Sequence, residues 1–279
     1  MSKWIHFNGT LVDANTNLVT AANRGLRYGD GLFETIKLID RQMALANYHF
    51  ERLFNGLQLL QIPVPSSLTA DYLADCVLQL CKKNEVSQAA RVRLNIFRGK
   101  GNLFSVEEPA LNIIIEAEQL LQQYGQWNEK GLTTGIYRVA KKSCDSFANL
   151  KSNNFIPYVM GALHAKQQQL DDSFILNAYN RVCDATIANV FWIKDGVIAT
   201  PALSEGCVAG VMRRYLLDKL QHTGYNIQEK PLSMEELQQA DELFLTNALY
   251  GIRRVEQCEG KQYSSETTTE LYNRFIKKQ

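Results

Sequence analysis

The fold of this chain is decided by residues 149–158, which read NLKSNNFIPY. Polar, turn-forming residues run up to Asn154, and apolar residues then recur at helical spacing at Phe155, Tyr158, Val159, Ala162 and Leu163. This pattern predicts that Lys151 lies just before an amphipathic helix. A helix N-terminus disfavours positive charge, so a partly desolvated lysine there loses its proton more readily and can attack a carbonyl carbon. An exposed, purely structural lysine is the alternative, and position alone leaves both open.

Length and composition describe a globular protein. The 279 residues suit one large domain or two small ones, and a hydrophobic fraction of 46% is ample for a buried core. The net charge of +1 gives no general attraction to nucleic acid or to a membrane surface. No apolar run reaches the roughly 18 residues that span a bilayer, and no signal-peptide pattern opens the chain. We therefore expect a cytoplasmic protein that acts on small molecules.

The metal-binding residue types are scattered along the chain. The six cysteines form no C-x-x-C pair, and the four histidines show no paired spacing that suits zinc. We expect reduced thiols that are mostly buried, and no metal site. The cysteines are Cys76, Cys81, Cys144, Cys183, Cys207 and Cys258.

Periodicity predicts an alternation of strands and helices. In the first half we expect a hairpin at residues 4–13, a glycine-rich turn and strand at residues 23–38, helices near 47–60 and 68–83, and paired strands at 90–98 and 111–117. Residues 119–130 are polar and read as a linker. In the second half we expect strands at 172–177 and 182–193, a glycine-bounded helix start near 210, and a capped helix at 234–240 followed by a strand. The pattern is of the α/β (α+β) class.

Six segments together resemble the class IV aminotransferases, the fold-type IV pyridoxal-phosphate enzymes, from Asn23 to Val255. The segment at Lys151 is similar to that family's K-S-x-N-x-L motif, and the residues from Asn23 to Lys37 are similar to R-G-x-x-x-G-D-G-x-[FY]-E-x. The resemblance implies two domains: an N-terminal α+β domain at residues 1–118, the linker at 119–130, and a C-terminal cofactor-binding domain with a barrel-like sheet at 131–279. It also implies a homodimer and pyridoxal 5'-phosphate as cofactor.

The resemblance implies roles for individual residues. Lys151 would form the Schiff base with the cofactor. Arg52, in the family's H-x-x-R-L element, would bind the cofactor phosphate, for which the fixed fork of a guanidinium is well suited. The remaining positions that it assigns to cofactor binding are Asp184, the backbone amides of Val211 and Met212, and the phosphate-side pair Asn247 and Ala248.

Asp184 is where the chain departs from the family pattern. The family places a glutamate there to pair with the protonated pyridine nitrogen, followed by a glycine, whereas this chain has Asp184 and Ala185. A carboxylate beside that nitrogen keeps the ring cationic and makes it an electron sink. A backbone shift or a bridging water would have to make up for the missing methylene.

The predicted substrate pocket contains Phe33, Arg98 and Arg253. Phe33 occupies the position at which the D-amino-acid transaminases carry a tyrosine, so that hydroxyl is absent here. Arg253 and Arg254 would be able to receive a substrate carboxylate, with a solvated arginine pair as the alternative. Residues 100–103 lack the R-x-H carboxylate trap of the D-amino-acid enzymes.

The resemblance leaves two reactions open. In the first, 4-amino-4-deoxychorismate loses pyruvate to give 4-aminobenzoate, a step of folate biosynthesis. Residues 247–249, residues 210–213 and the missing trap favour this lyase. In the second, a branched-chain or D-amino acid gives its amino group to a 2-oxo acid. A non-catalytic cofactor-binding relative is a third hypothesis, which Asp184 suggests and the intact Lys151 opposes.

Overall fold

The computed structural model describes residues 3–107, 110–121 and 123–277. Its contacts divide the chain into two compact units. The first contains the residues up to Leu121 together with Lys151–Asn154, and the second contains the remainder. The class is α+β, as the sequence predicts.

The first unit is built on a six-stranded antiparallel sheet. Its strands are β1 (Trp4–Phe7), β2 (Thr10–Asp13), β3 (Gly31–Ile39), β4 (Gln42–Met43), β5 (Ala89–Arg98) and β6 (Leu111–Gln119). The order across the sheet is β2-β1-β6-β5-β3-β4. The predicted hairpin at residues 4–13 is confirmed, since Phe7 pairs with Thr10. The predicted pairing of β5 with β6 is confirmed as well.

Three helices belong to the first unit: α1 (Arg24–Tyr28), α2 (Ala46–Leu59) and α3 (Ala70–Lys83). The stretch before β3, predicted as a turn, forms α1 and then turns at Gly29, where a φ of 64° favours glycine. Helix α2 packs on β3, and α3 packs on β6. The core of this unit consists of side chains at most 1% exposed, among them Ile36, Leu38, Leu53, Leu57, Leu73, Leu80, Leu94 and Ile96.

The second unit is built on a nine-stranded mixed sheet. Its strands are β7 (Leu132–Lys142), β8 (Asp172–Asn177), β9 (Val182–Ala185), β10 (Asn189–Lys194), β11 (Val197–Thr200), β12 (Asn226–Glu229), β13 (Glu242–Asn247), β14 (Gly251–Cys258) and β15 (Lys261–Gln262). The order is β12-β11-β10-β13-β14-β7-β8-β9, with β15 on β14. The Val182 amide donates to the Leu232 carbonyl at 2.9 Å, which ties β9 at one end to the chain that follows β12 at the other. This bond gives the sheet its barrel-like form.

The helices of the second unit are α4 (Ile156–Gln167), α5 (Val211–Gln221), α6 (Met234–Gln239) and α7 (Glu266–Phe275). The predicted capping box of α6 is confirmed, because the Glu236 amide donates to the Ser233 hydroxyl at 3.1 Å and Glu236 in turn accepts from the Ser233 amide. Among the helices that the structure describes, none is both long and apolar enough to cross a bilayer.

Helix α4 buries only part of the face that the sequence predicts. Val159 and Leu163 are 50% and 47% exposed, whereas Tyr158, Gly161 and Ala165 are buried. The reason is the small residue at 161: a Cβ there would lie 2.6 Å from the Ile175 side chain, so the helix approaches β8 by its small-residue face.

The predicted domain boundaries at 118 and 130 stay a prediction. Strand β6 ends at Gln119 and β7 begins at Leu132, while Gln122, inside the predicted linker, lies outside the described residues. Residues 151–154 cluster with the first unit although the sequence assigns them to the C-terminal domain. Backbone hydrogen bonds to β3 account for this difference.

Candidate active site

Lys151 lies in an extended stretch that pairs with β3. The Phe33 amide donates to the Lys151 carbonyl, and the Asn153 amide donates to the Gly31 carbonyl, both at 2.9 Å. Helix α4 begins only at Ile156, so Lys151 precedes its first turn by several residues. Because a helix dipole fades within one turn, the predicted dipole effect on Lys151 is wrong.

The Lys151 amine lies beside an aromatic ring and near a second cation. Its Nζ is 4.7 Å from the centroid of the Phe33 ring, and the Arg93 guanidinium carbon is 4.1 Å from the same centroid. Burial lowers the pKa of Arg93. Arg93 is not among the residues predicted from the sequence. The alternation along β5 places it on the same face of the sheet as Asn95. The Asn95 side chain accepts a hydrogen bond from the Asn153 side chain at 2.9 Å.

Arg52 belongs to a buried charge cluster with Glu34 and His49. The Arg52 Nε lies 2.8 Å from Glu34 Oε1, and His49 Nδ1 lies 2.6 Å from Glu34 Oε2. Burial alone would raise the pKa of Glu34, but Arg52 and His49 outweigh it and bring that pKa to about 2. The structure thus gives Arg52 a carboxylate partner, and its predicted contact with a phosphate stays a prediction.

Arg98, predicted in the substrate pocket, holds the backbone of the first unit together. Its Nη1 donates to Asp30 Oδ1 at 2.8 Å, and its Nη2 donates to the carbonyls of Leu60 at 2.7 Å and Gln61 at 2.8 Å. These bonds occupy both ends of the guanidinium fork. The arrangement indicates a structural role for Arg98.

Asp184 lies in β9 and is 2% exposed. Its Oδ2 accepts from the Tyr158 hydroxyl at 2.7 Å, the Val208 amide at 3.0 Å and the Lys142 Nζ at 3.2 Å. Its Oδ1 accepts from the Asn189 amide group at 2.9 Å. From the sequence, Tyr158 is predicted only as part of the apolar face of a helix, and no role is predicted for Lys142.

Helix α5 begins without a side-chain cap. Its N-cap is Gly210, which provides no side-chain hydrogen bond to the first turn. A Cβ at Gly210 would lie 1.8 Å from the Asn189 Oδ1, so only glycine fits against that amide. The predicted amides of Val211 and Met212 therefore open a helix N-terminus, which suits an anion.

Asn247 and Arg253 line a small cleft in the second unit, together with Asp172 and Thr246. The Asn247 Oδ1 accepts from the amides of Leu249 at 3.0 Å and Tyr250 at 2.9 Å, and it thereby shapes the turn that contains Ala248. The Arg253 guanidinium carbon lies 4.6 Å from the centroid of the Tyr250 ring. An anion would meet a mixed set of groups here, because Asp172 is also present.

The described residues contain no group of three or more His, Cys, Asp or Glu side chains placed to hold a metal ion. The six cysteines are unpaired, and all but Cys144 are buried, which confirms the prediction of mostly buried thiols.

Known proteins share this pattern of motifs. The family model for amino-transferase class IV matches residues 31–258. The chain belongs to this family. Aminodeoxychorismate lyase from Vibrio harveyi is 33% identical over 241 residues, covering 85% of this chain and 86% of that protein. A putative branched-chain-amino-acid aminotransferase from Methanocaldococcus jannaschii is 28% identical over 279 residues, covering 98% and 94% of the two chains.

Solved structures share this fold. The branched-chain amino acid aminotransferase from Escherichia coli has a TM-score of 0.86 with 21% identity, covering 99% of this chain and 95% of that one. The predicted fold-type IV architecture is confirmed. The predicted class of enzyme, a pyridoxal-phosphate-dependent lyase or aminotransferase, is confirmed by the family and its members.

Proposed function

We propose that the protein is an aminodeoxychorismate lyase, which eliminates pyruvate from 4-amino-4-deoxychorismate and releases 4-aminobenzoate. The observation that carries this proposal is the 33% identity with the Vibrio harveyi lyase over most of both chains. The turn after β13 supports it, because Asn247 shapes that turn through its side chain. Residues 247–249, which contain this asparagine, are among the segments whose resemblance favours the lyase.

The residues of the chain fit pyridoxal 5'-phosphate. The uncapped first turn of α5 suits a phosphate, Asp184 is a buried carboxylate suited to a protonated ring nitrogen, and Lys151 provides a primary amine. When bound, the cofactor supplies an electron sink for the negative charge that develops on the substrate. Val211, Met212, Asn247 and Ala248 are the proposed phosphate-side residues of the second unit, and Arg52 is the proposed phosphate ligand of the first.

Lys151 is the proposed attachment point and general base. Its backbone is fixed along β3 by the Phe33 amide, so the amine is held beside the Phe33 ring. Once released, the amine accepts the proton from the substrate carbon that bears the amino group, and the resulting ammonium returns a proton to the departing pyruvate.

Arg93 is the proposed partner for a substrate carboxylate. 4-Amino-4-deoxychorismate carries two carboxylates, and Arg93 shares the Phe33 ring with the proposed base. A guanidinium can bind a carboxylate through two parallel hydrogen bonds. Arg253 remains the candidate for the second carboxylate.

The proposal is tested by incubating the purified protein, supplied with pyridoxal 5'-phosphate, with 4-amino-4-deoxychorismate. We expect equal amounts of 4-aminobenzoate, followed by its fluorescence, and of pyruvate, followed with lactate dehydrogenase. Failure to form 4-aminobenzoate while branched-chain or D-amino acids transfer their amino group to 2-oxoglutarate would overturn the lyase in favour of the transaminase. The relative from Methanocaldococcus jannaschii is the reason to include that second assay.

Lys151→Ala is expected to abolish turnover, because no other amine would carry the cofactor or move the proton. Borohydride reduction of the wild-type protein, followed by peptide mapping, should place the label on Lys151. Lys37→Ala is the matched control, since Lys37 is a buried lysine of the same unit. A label on any other lysine would contradict the assignment.

We further propose that the protein is a cytoplasmic homodimer. The apolar side chains of Ile156, Val159 and Leu163 that α4 leaves exposed support a protein partner for this helix. Sedimentation at micromolar concentration is expected to give twice the mass of the chain, and a monomer would refute the proposal.

A further inference from the structure

Lys142 is a buried lysine that the family motifs do not include. It ends β7, is 9% exposed, and places its Nζ 3.2 Å from Asp184 Oδ2 and 5.2 Å from the centroid of the Tyr158 ring. An ammonium group is costly to bury unless a carboxylate compensates it. Within the described part of the chain, Asp184 is the carboxylate that lies within ion-pair distance of Lys142.

The four donors around Asp184 differ in charge. Tyr158, Asn189 and the Val208 amide are neutral, so Lys142 is the only cation among them. Oδ2 takes three of these bonds and Oδ1 takes one. Since each carboxylate oxygen accepts about two hydrogen bonds, Oδ2 is saturated and Oδ1 retains room for one more donor.

Three other titratable groups near Asp184 are neutral at physiological pH: Tyr158, Cys183 and Cys207. Burial, followed by the Asp184 charge, takes the pKa of Tyr158 well above its usual value. The same two causes raise the pKa of Cys183 well above its usual value and that of Cys207 to about 12. Lys142 is therefore the group that balances the Asp184 charge from β7, α4, β9 and the segment before α5.

We infer that Lys142 is a positioning residue for the cofactor-binding carboxylate: its ammonium balances the Asp184 charge and turns Oδ2 toward itself, which leaves Oδ1 available to the ring nitrogen. This inference rests on the proposed role of Asp184. Without the ammonium, burial would favour the protonated acid more strongly, and a neutral acid would not hold the ring nitrogen in its cationic form.

The first test uses the cofactor-free protein labelled with carbon-13 at the aspartate carboxyls. The Asp184 signal is identified by its loss in Asp184→Asn and is titrated with acid in four proteins. We expect Lys142→Met to raise the protonation midpoint of Asp184 by about one pH unit or more. Lys142→Arg should restore the wild-type midpoint. Lys141→Met is the matched control, because Lys141 is the exposed neighbour on β7 and bonds Asn180.

The second test measures the affinity for pyridoxal 5'-phosphate by its absorption spectrum. We expect Lys142→Met to weaken binding about tenfold, with rescue by Lys142→Arg and no change in Lys141→Met. A midpoint that stays at the wild-type value overturns the inference. A raised midpoint with unchanged affinity also overturns it, since Lys142 would then serve only the fold.

These outcomes are distinct from a failure of the proposed lyase. If the wild type transfers amino groups and forms no 4-aminobenzoate, the lyase is wrong, while both Lys142 measurements keep their meaning because neither depends on the substrate. If Lys142→Met does not fold, as judged by circular dichroism, the comparison of wild type with Lys142→Arg and Lys142→Gln decides. Gln keeps a hydrogen-bond donor without the charge, so an unaltered midpoint in Lys142→Gln overturns the inference.

Discussion

Two buried carboxylates, one in each unit, are held in opposite ways. Glu34 in the first unit is paired with the Arg52 guanidinium and the His49 imidazole, and these partners bring its pKa to about 2. Asp184 in the second unit is held mainly by neutral donors, with Lys142 at 3.2 Å as its cation. Glu34 is 1% exposed and Asp184 is 2% exposed, so burial does not explain the difference.

The contrast between Glu34 and Asp184 distinguishes a carboxylate that stabilises the fold from one that is available to a ligand. A carboxylate that is paired with a guanidinium and hydrogen-bonded to an imidazole stabilises the fold around it, and it attracts a further cation only weakly. Asp184 is held by three neutral donors and one ammonium, and its Oδ1 retains room for a further donor. We therefore expect changes at Glu34 to alter stability first, and changes at Asp184 to alter activity first.

Glu34→Gln is expected to give the largest loss of stability, about 3–5 kcal/mol in the free energy of unfolding, because it removes the buried charge that Arg52 and His49 face. Urea unfolding at neutral pH measures this loss. Glu118→Gln is the control, since Glu118 pairs with Arg91 in the same unit but is 40% exposed in its side chain, and an exposed pair contributes at most about 1 kcal/mol. Equal losses in the two variants would refute the structural role of Glu34.

The same glutamate should govern stability in acid. The folded-state pKa of about 2 lies below the ordinary value of 4.5, so the pair contributes stability above pH 4.5 that is lost as the pH falls toward 2. The shift corresponds to about 3 kcal/mol. Glu34→Gln should show a shallower fall in unfolding free energy across this window. A parallel fall would indicate that other groups control acid unfolding.

Asp184→Asn is expected to slow turnover on the order of a hundredfold, about 2.7 kcal/mol, since the charge that keeps the ring nitrogen protonated is removed. The NH2 group of the new amide would also face donors, because the Asn189 side chain and the Val208 amide both donate to the carboxylate that it replaces. Steady-state assays with circular dichroism as the folding control measure the effect. Turnover equal to wild type would exclude the proposed role.

Asp184→Glu is expected to have the smallest effect, a loss of about 1–3 kcal/mol in stability with partial activity. The family's longer side chain would have to enter a site where Oδ2 already meets Tyr158, Val208 and Lys142. Thermal unfolding and assays of the loaded enzyme measure both quantities. A more stable and faster variant would show that the site retains space for glutamate.

The sequence predicts the parts of the site that depend on local motifs. The strand positions of Phe33 and Asp184 and the helix start at Val211 follow from periodicity and glycine placement. The partners of Asp184 do not follow. The register between β7 and β8 shifts between Tyr137 and Lys141, and this irregularity moves Lys142 to the face of Tyr137. A strict period of two would place Lys142 with Ile136.

Arg98 and Arg93 show the same limit in the first unit. Both arginines lie on β5, and the sequence does not reveal which of them donates hydrogen bonds to backbone carbonyls. Arg98 bonds Leu60 and Gln61, which follow a helix more than thirty residues earlier in the chain, so only the packed structure distinguishes the two.

The close approach of Gly210 to Asn189 has a mechanical consequence. The Asn189 side chain donates to Asp184 and to the Val208 carbonyl, while its own oxygen packs against Gly210 at the start of α5. One amide thus acts as a spacer of fixed length between the carboxylate and the helix start. Any side chain added at Gly210 would displace Asn189 and thereby disturb its hydrogen bonds to Asp184 and to the Val208 carbonyl together.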